Sequence, residues 1–342
     1  MNQMPGAFPP PPDTPQQPFG PGGPPAPGRP AYPLDFERIL QLTFSLYRYA
    51  FVRFFAVGLA LYLPLVVVTT ALQLLMSADL IRAQQAQLDY FDGRVVPLTE
   101  LLPVTWMALG FFSLIIIGAG VYVAQGGLVH LTARTYTGER PSAPASIRAA
   151  VSRLLTLVGA GLLAILLTIG ILLMGAAIGT LLILGNVVNG ALQPGLLVFA
   201  GLIVMVAAFV IFIFVSIRLA FIPQVVMVEG VGAVDSLRRS WRLISGSSLR
   251  VFGYSIVFSL LVGVLSLLAT AAVELVTGTG IDISDGVLVF EPVPFVVGGL
   301  IAGLIGIALM PIGTIAMTLL FYDVRFRRES VTEKQIEPRV ER

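Results

Sequence analysis

The sequence predicts an all-α protein: a polytopic membrane helical bundle of about six transmembrane helices, with amphipathic helices lying at one interface. Three observations predict it. Of the 342 residues, 56% are hydrophobic and only 12% charged, about half the charge of an ordinary soluble domain. Uncharged runs recur at Phe54–Met76, Leu101–Ala133 (His130 its one ionisable group), Leu154–Ile217, Val251–Val273 and Pro292–Tyr322, and about 20 apolar residues suffice to cross a bilayer. Of the 21 Lys and Arg residues, all but Arg82 and Arg94 fall on the same side once the spans are laid out, a strong positive-inside asymmetry that sets both tails in the cytoplasm of a cell membrane.

The elements follow in order. Residues 1–33 form a tail that holds 13 of the 24 prolines, with the run Pro9–Pro12. Such a segment buries no apolar surface and samples polyproline II. It reads first as a solvated low-complexity tail and second as a docking site for a polyproline-binding partner. It has no basic stretch leading into an apolar one and is not a signal peptide. The membrane domain is then 34–328, and a charged cytoplasmic tail occupies 329–342.

Asp35–Arg53 places Phe36, Ile39, Leu40, Thr43, Phe44, Tyr47 and Phe51 at helical spacing, predicting an interfacial helix with its apolar side in lipid or against the bundle. Spans are expected near 54–77 and 106–130. The outer loop 78–104 between them has a short helix at Ala83–Leu88 as its only expected structure. The run Leu154–Ile217 is too long for one helix. Asn186–Gly195, rich in Asn and Gly with Pro194, divides it into spans near 154–184 and 196–222. Ala233–Ser245 is a second amphipathic helix, with Val234, Leu237, Trp241 and Ile244 as its apolar stripe, Arg238, Arg239 and Arg242 beside them, and Gly246 as the stop. Spans near 252–276 and 295–322 complete the set. Ser146–Val151 echoes Ser236–Trp241, which raises three repeats of interfacial helix plus helical hairpin.

The inventory of chemistry is short. There is no cysteine and one histidine, so thiolate chemistry and His-cluster metal sites are excluded. No phosphate loop, nucleophile elbow or His-Glu-x-x-His motif occurs. The expectation is no enzyme, no cofactor and no metal. The net charge of +2 is too small for a nucleic-acid partner. Ionisable groups within spans are costly and mark sites. Arg218, with Glu229 as its possible counter-ion, is therefore the candidate intramembrane polar site, although snorkelling to headgroups is the plainer account of Arg218. Arg238, Arg239, Trp241 and Arg242 are the candidate contacts to lipid headgroups, anionic ones in particular, or to a partner; the competing account pairs the arginines with Glu229, Asp235 or the acids of the Tyr322-Asp323 motif. Gly175/Gly179 and Gly299/Gly303 have the spacing of close helix contacts. Asp282, Asp285 and Glu291 lack calcium-loop spacing and read as solvated acids.

Three stretches also carry a family resemblance: Leu34-Asp-Phe-Glu-Arg-Ile-Leu with Phe-Ser-Leu-Tyr47-Arg; Glu229–Gly246 with its Ser-Trp241-Arg; and Leu320-Phe-Tyr-Asp-Val-Arg-Phe-Arg-Arg-Glu329. Together they resemble the glycerophosphoryl diester phosphodiesterase membrane-domain family over roughly 34–330. The resemblance implies membrane architecture. It does not imply phosphodiesterase activity, because the soluble barrel that gives the family its name, and its metal ligands, are absent. The functional expectation is a non-catalytic integral membrane protein that organises lipids or partners at the inner face. The alternative is a transporter or permease-like protein for a small or amphiphilic solute, with Pro64, Pro223 and Pro311 interrupting its spans.

Overall fold

The computed structural model describes residues 34–97, 104–188, 195–278, 281–284 and 287–329. The proline-rich tail, the dividing turn at 189–194, Asp285 and the charged tail beyond Glu329 lie outside them. Nine helices of more than one turn are labelled here: α1 (Phe36–Tyr49), α2 (Phe51–Phe91), α3 (Val104–Tyr136), α4 (Ala143–Ser152), α5 (Leu154–Val188), α6 (Leu196–Arg218), α7 (Ala233–Ile244), α8 (Ser248–Thr277) and α9 (Pro292–Glu329). Six helices among the described residues, α2, α3, α5, α6, α8 and α9, are long and apolar enough to cross a membrane. The fold is an all-α polytopic bundle.

The order repeats three times. A short helix, α1, α4 or α7, precedes a long hairpin, α2–α3, α5–α6 or α8–α9. All three short helices therefore gather at one end, called here the basic end. Ser142 caps α4 by accepting a hydrogen bond from the Ala145 N–H at 3.3 Å, the ordinary role of a hydroxyl at a helix start.

The core sits at the basic end. Its buried residues come from α1 (Ile39, Leu42, Leu46), the start of α2 (Phe54, Val57), the end of α3 (Leu128, Val129, Leu131), the start of α5 (Leu157, Ala160) and the last turns of α9 (Ile315–Val324). Towards the other end, α6 and α8 expose Leu202, Ile203, Val206, Leu260, Val264 and Leu267, as lipid-facing helices do. The long helices pack in the order α8, α9, α2, α3, α5, α6, and the two outermost meet only marginally.

Several boundaries differ from the sequence reading. The first span does not stop near residue 77, because α2 runs unbroken to Phe91, and Ala83–Leu88, expected as a separate short helix, is part of it. Ser77–Leu88 contains no breaker and is rich in Ala, Gln and Leu, all good helix formers. The Asp92-Gly93 turn, with Gly93 at φ 81, ends the helix. Pro64 and Pro311 stay inside helices. The regular helix of the fourth span ends at Arg218 while the apolar segment runs on to Glu229, and α9 continues through Glu329. Between α8 and α9, Ile281–Ser284 and Val287–Phe290 form a two-stranded antiparallel hairpin, which the reading of this loop as solvated acids did not anticipate.

The glycine pairs mark real helix contacts. A Cβ at Gly175 would collide with Ala208 of α6, and one at Gly179 would lie 2.8 Å from the Gly201 carbonyl. A Cβ at Gly303 would strike Val66 of α2. Glycine is what lets these backbones approach, the usual device of helix packing in lipid.

Candidate functional site at the basic end

The chain between α6 and α7 creates the site. After Arg218 the helix breaks. Ile222–Gln224 makes one short turn, Val225–Glu229 adopts the wider π-helical spacing, and Gly230 at φ 75 turns the chain towards α7. Residues Phe221–Val228 are all buried. Pro223 has no N–H to continue the helix. The backbone groups freed at the break must find partners, and Ser240 of α7 supplies two. Its hydroxyl donates to the Arg218 carbonyl at 2.8 Å and accepts from the Phe221 N–H at 3.2 Å.

This is why α7 turns a different face inward from the one its hydropathy predicts. Ser236, Ser240, Leu243 and Ile244 are buried, whereas Val234 is 52% and Trp241 37% exposed. Of the expected apolar stripe, Ile244 lies in the core and Leu237 packs, partly buried, against it. The inward face is chosen by serines that satisfy backbone, which a ranking by apolarity passes over.

Glu229 closes the π-helical turn and faces Arg239. The pair is bidentate, Nε–Oε2 at 2.7 Å and Nη2–Oε1 at 2.9 Å. Arg239 also binds Glu329 of α9, and Arg325 reaches Glu229 at 3.4 Å and Glu329 at 3.3 Å. Two carboxylates and two guanidiniums thus join α7, the π-helical turn and α9. The hydrogen bond to Glu229 is the largest cause that raises the Arg239 pKa, so Arg239 keeps its charge at every pH at which a protein stays folded. Glu229 is accordingly the counter-ion of Arg239 and Arg325, and the structure does not bring it together with Arg218.

A second cluster surrounds Asp323, whose side chain is fully buried. Oδ1 accepts from the Leu34 N–H at 2.7 Å and from Arg327 Nε at 2.9 Å. Oδ2 faces Arg250 Nη2 at 3.2 Å as an ion pair without hydrogen-bond geometry. Arg250 Nη2 in turn donates to the Leu34 carbonyl at 2.8 Å. The start of α1, the start of α8 and the end of α9 meet on this one carboxylate. Nearby, Tyr47 donates to the Ala308 carbonyl at 2.7 Å, fixing α1 to α9. Arg328 donates to the Arg242 carbonyl at 3.0 Å and lies over Gly246, where a side chain would collide with it. His130 is buried in α3 with Nδ1 3.2 Å from the Ser146 hydroxyl of α4.

The remaining candidates look outward. Arg238 makes only a loose contact with Asp235, 3.9 Å between two exposed side chains, a kind of pair that contributes little. Trp241 and Arg242 are exposed beside it. Arg218 lies behind Trp241. Its guanidinium carbon is 4.9 Å from the Phe214 ring centroid and 5.5 Å from that of Trp241. Each such stacking contributes on the order of 1 kcal/mol. Nε and Nη1 are buried without a hydrogen-bond partner, and Arg218 forms no ion pair among the described residues.

Sequence reasoning found the α7 arginines and, as the alternative to lipid contact, their pairing with Glu229 or the acids of the Tyr322-Asp323 motif, which Arg239 makes with Glu229 and Glu329; it missed Ser240, and Arg250 and Arg325 as partners of those acids. The usable signal was the charged motif Asp323–Glu329 appended to an apolar run. Among the described residues no three acidic or histidine side chains cluster as metal ligands would.

Six spans, three short helices and an arginine-rich end define a multi-pass helical membrane protein. The chain belongs to the family described as Domain of unknown function (DUF7847), whose model matches residues 78–324. That match takes in all of the π-helical turn, α7 and Asp323. No curated protein and no solved structure matches the chain.

Proposed function

We propose that this chain is a non-catalytic membrane protein that gathers anionic lipids, or a protein partner, at the inner face of the cell membrane. One observation carries the reading. The inner side of α7 is consumed by structural bonds from Ser240 and Arg239, while Arg238 and Arg242 are exposed and Trp241, edge-on to Phe214, keeps part of its ring exposed. A tryptophan flanked by free arginines suits an anionic leaflet. The proline-rich tail is a further docking element in this proposal. Kinship with the glycerophosphoryl diester phosphodiesterase membrane-domain family belongs to it too, and rests on the three quoted sequence motifs alone.

The test separates the arginines. Near an anionic surface each contributes on the order of 1 kcal/mol, less with salt. Changing Arg238 and Arg242 together to Gln should weaken binding of phosphatidylglycerol to the purified protein about tenfold at low salt and leave thermal stability unchanged. Arg239→Gln should do the opposite, lowering stability by about 2 kcal/mol, since its charged hydrogen bonds are structural, with lipid binding per folded molecule retained. Unchanged lipid binding in the double variant would end the proposal.

Orientation is tested with single cysteines, because the chain has none of its own. Cysteines replacing Asp89 or Ser284 should react with an impermeant thiol reagent added to intact cells. Cysteines replacing Ser142 or Ser330 should react only after permeabilisation. The reverse pattern would place the basic end outside.

A second reading, a permease-like protein for a small or amphiphilic solute, is favoured by the helix break, where buried Gln224 Oε1 has no hydrogen-bond partner. Its test is solute flux into liposomes carrying the wild-type protein, compared with Gln224→Leu.

A further inference from the structure

We infer that Arg218, held between Phe214 and Trp241, is a binding site for a single phosphate ester group, supplied by the headgroup of a membrane phospholipid. The inference rests on the lipid-gathering reading above and adds a defined, stoichiometric site behind the exposed patch. Arg218 ends a membrane-crossing helix, and the stretch that follows it, Leu219–Val228, is apolar and mostly buried. A guanidinium cannot shed its charge there, and a charge at such a position requires a counter-ion. Among the described residues none pairs with it. Glu229, the acid nearest in sequence, is held by Arg239 and Arg325. The Arg218 carbonyl is engaged by Ser240, but its guanidinium has only two aromatic faces against it.

The stacking also orients the group. Nε and Nη1 are covered, and Nη2 is left to meet a ligand from the side of Trp241, itself 37% exposed. A phosphate oxygen arriving from the headgroup layer meets Nη2 first, while the acyl chains remain beside the lipid-exposed residues of α6 such as Phe209 and Val210. Arg242, next to Trp241 in the chain, is exposed on the same helix and adds positive potential. Arginine is suited to this role because its planar guanidinium stacks on rings while one amino group, Nη2, still donates to phosphate oxygens.

The site carries its own reporter. Trp241 is one of two tryptophans, and Trp106→Phe leaves it alone. In that background, dihexanoyl phosphatidylglycerol titrated into the full-length protein in neutral detergent should shift Trp241 emission saturably. Inorganic phosphate is the second arm: a shift with the lipid alone identifies a headgroup, and a shift with both identifies the phosphate group as sufficient. Adding Arg218→Gln should abolish the shift, and Arg218→Lys, which keeps the charge and loses the fork, should weaken it about tenfold. Arg238→Gln with Arg242→Gln should leave saturation in place with a higher midpoint. Neither ligand shifting Trp241, or equal affinity in the Arg218→Gln and Arg218→Lys variants and the parent, would overturn the site. Should Arg218→Gln fail to fold, the Arg218→Lys comparison decides. If the double variant alone loses lipid, the surface reading stands and the Arg218 site falls; if no variant changes lipid binding, both fall.

Discussion

Asp323→Ala should destabilise the detergent-purified protein by about 3–5 kcal/mol, the usual consequence of stranding buried charges. The change leaves Arg250 and Arg327 without their carboxylate and the Leu34 N–H without its acceptor. Three elements lose their common anchor, so α1 should be the first to detach. Limited proteolysis after residue 38 or 48 would report that detachment. Asp323→Asn keeps an oxygen for Leu34 and should lose distinctly less. Equal melting temperatures for Asp323→Ala and the parent would show that the carboxylate is not the junction its geometry describes.

The second large effect lies at the opposite end of the molecule. A Cβ at Gly201 would sit 2.6 Å from the Gly179 carbonyl oxygen and 2.8 Å from Ile183 Cγ1. The first of these neighbours is backbone and cannot swing aside, so even Gly201→Ala must push α5 and α6 apart. Overpacking of this kind costs about 1–3 kcal/mol, and Gly201→Val should exceed Gly201→Ala. Gly170→Ala is the control, since nothing lies within 4 Å of a Cβ there. An SDS-unfolding series on the three variants measures the order. A destabilised Gly170→Ala, or a neutral Gly201→Ala, would contradict the packing described.

The spans were legible because the bilayer imposes a simple demand: long apolar runs and charges at their ends. The glycine pairs were legible for a similar reason, since their spacing directly expresses a contact. The site was harder to read. Arg218 and Glu229 were both visible as charges next to apolar sequence, yet their partners come from α7 and α9, and Arg325 and Glu329 lie about a hundred residues further along the chain. Linear distance hides such pairs. The face of α7 was misjudged because Ser236 and Ser240 rank as polar, although Ser236 bonds back to the Ala233 carbonyl of its own helix and Ser240 to the chain break after Arg218. The extension of α2 to Phe91 was missed because an apolarity scan ends a helix where the lipid ends, whereas helix propensity takes no account of that boundary.

The concentration of core and ion pairs at one end has a mechanical consequence. The three hairpins are riveted together where α1, α4 and α7 lie, and beyond that joint the outermost pair, α6 and α8, scarcely touch. Lateral pressure in the bilayer therefore bears on the far ends as on the blades of a fan, with the Asp323 and Glu229 clusters as its pivot. The 41 residues of α2 span about 60 Å, roughly twice the hydrocarbon thickness, and the 38 residues of α9 nearly as much, whereas the 23 residues of α6 span only about 35 Å. Changes in bilayer thickness, each ångström carrying a fraction of a kcal/mol, load the blades unequally and reach the pivot as torque.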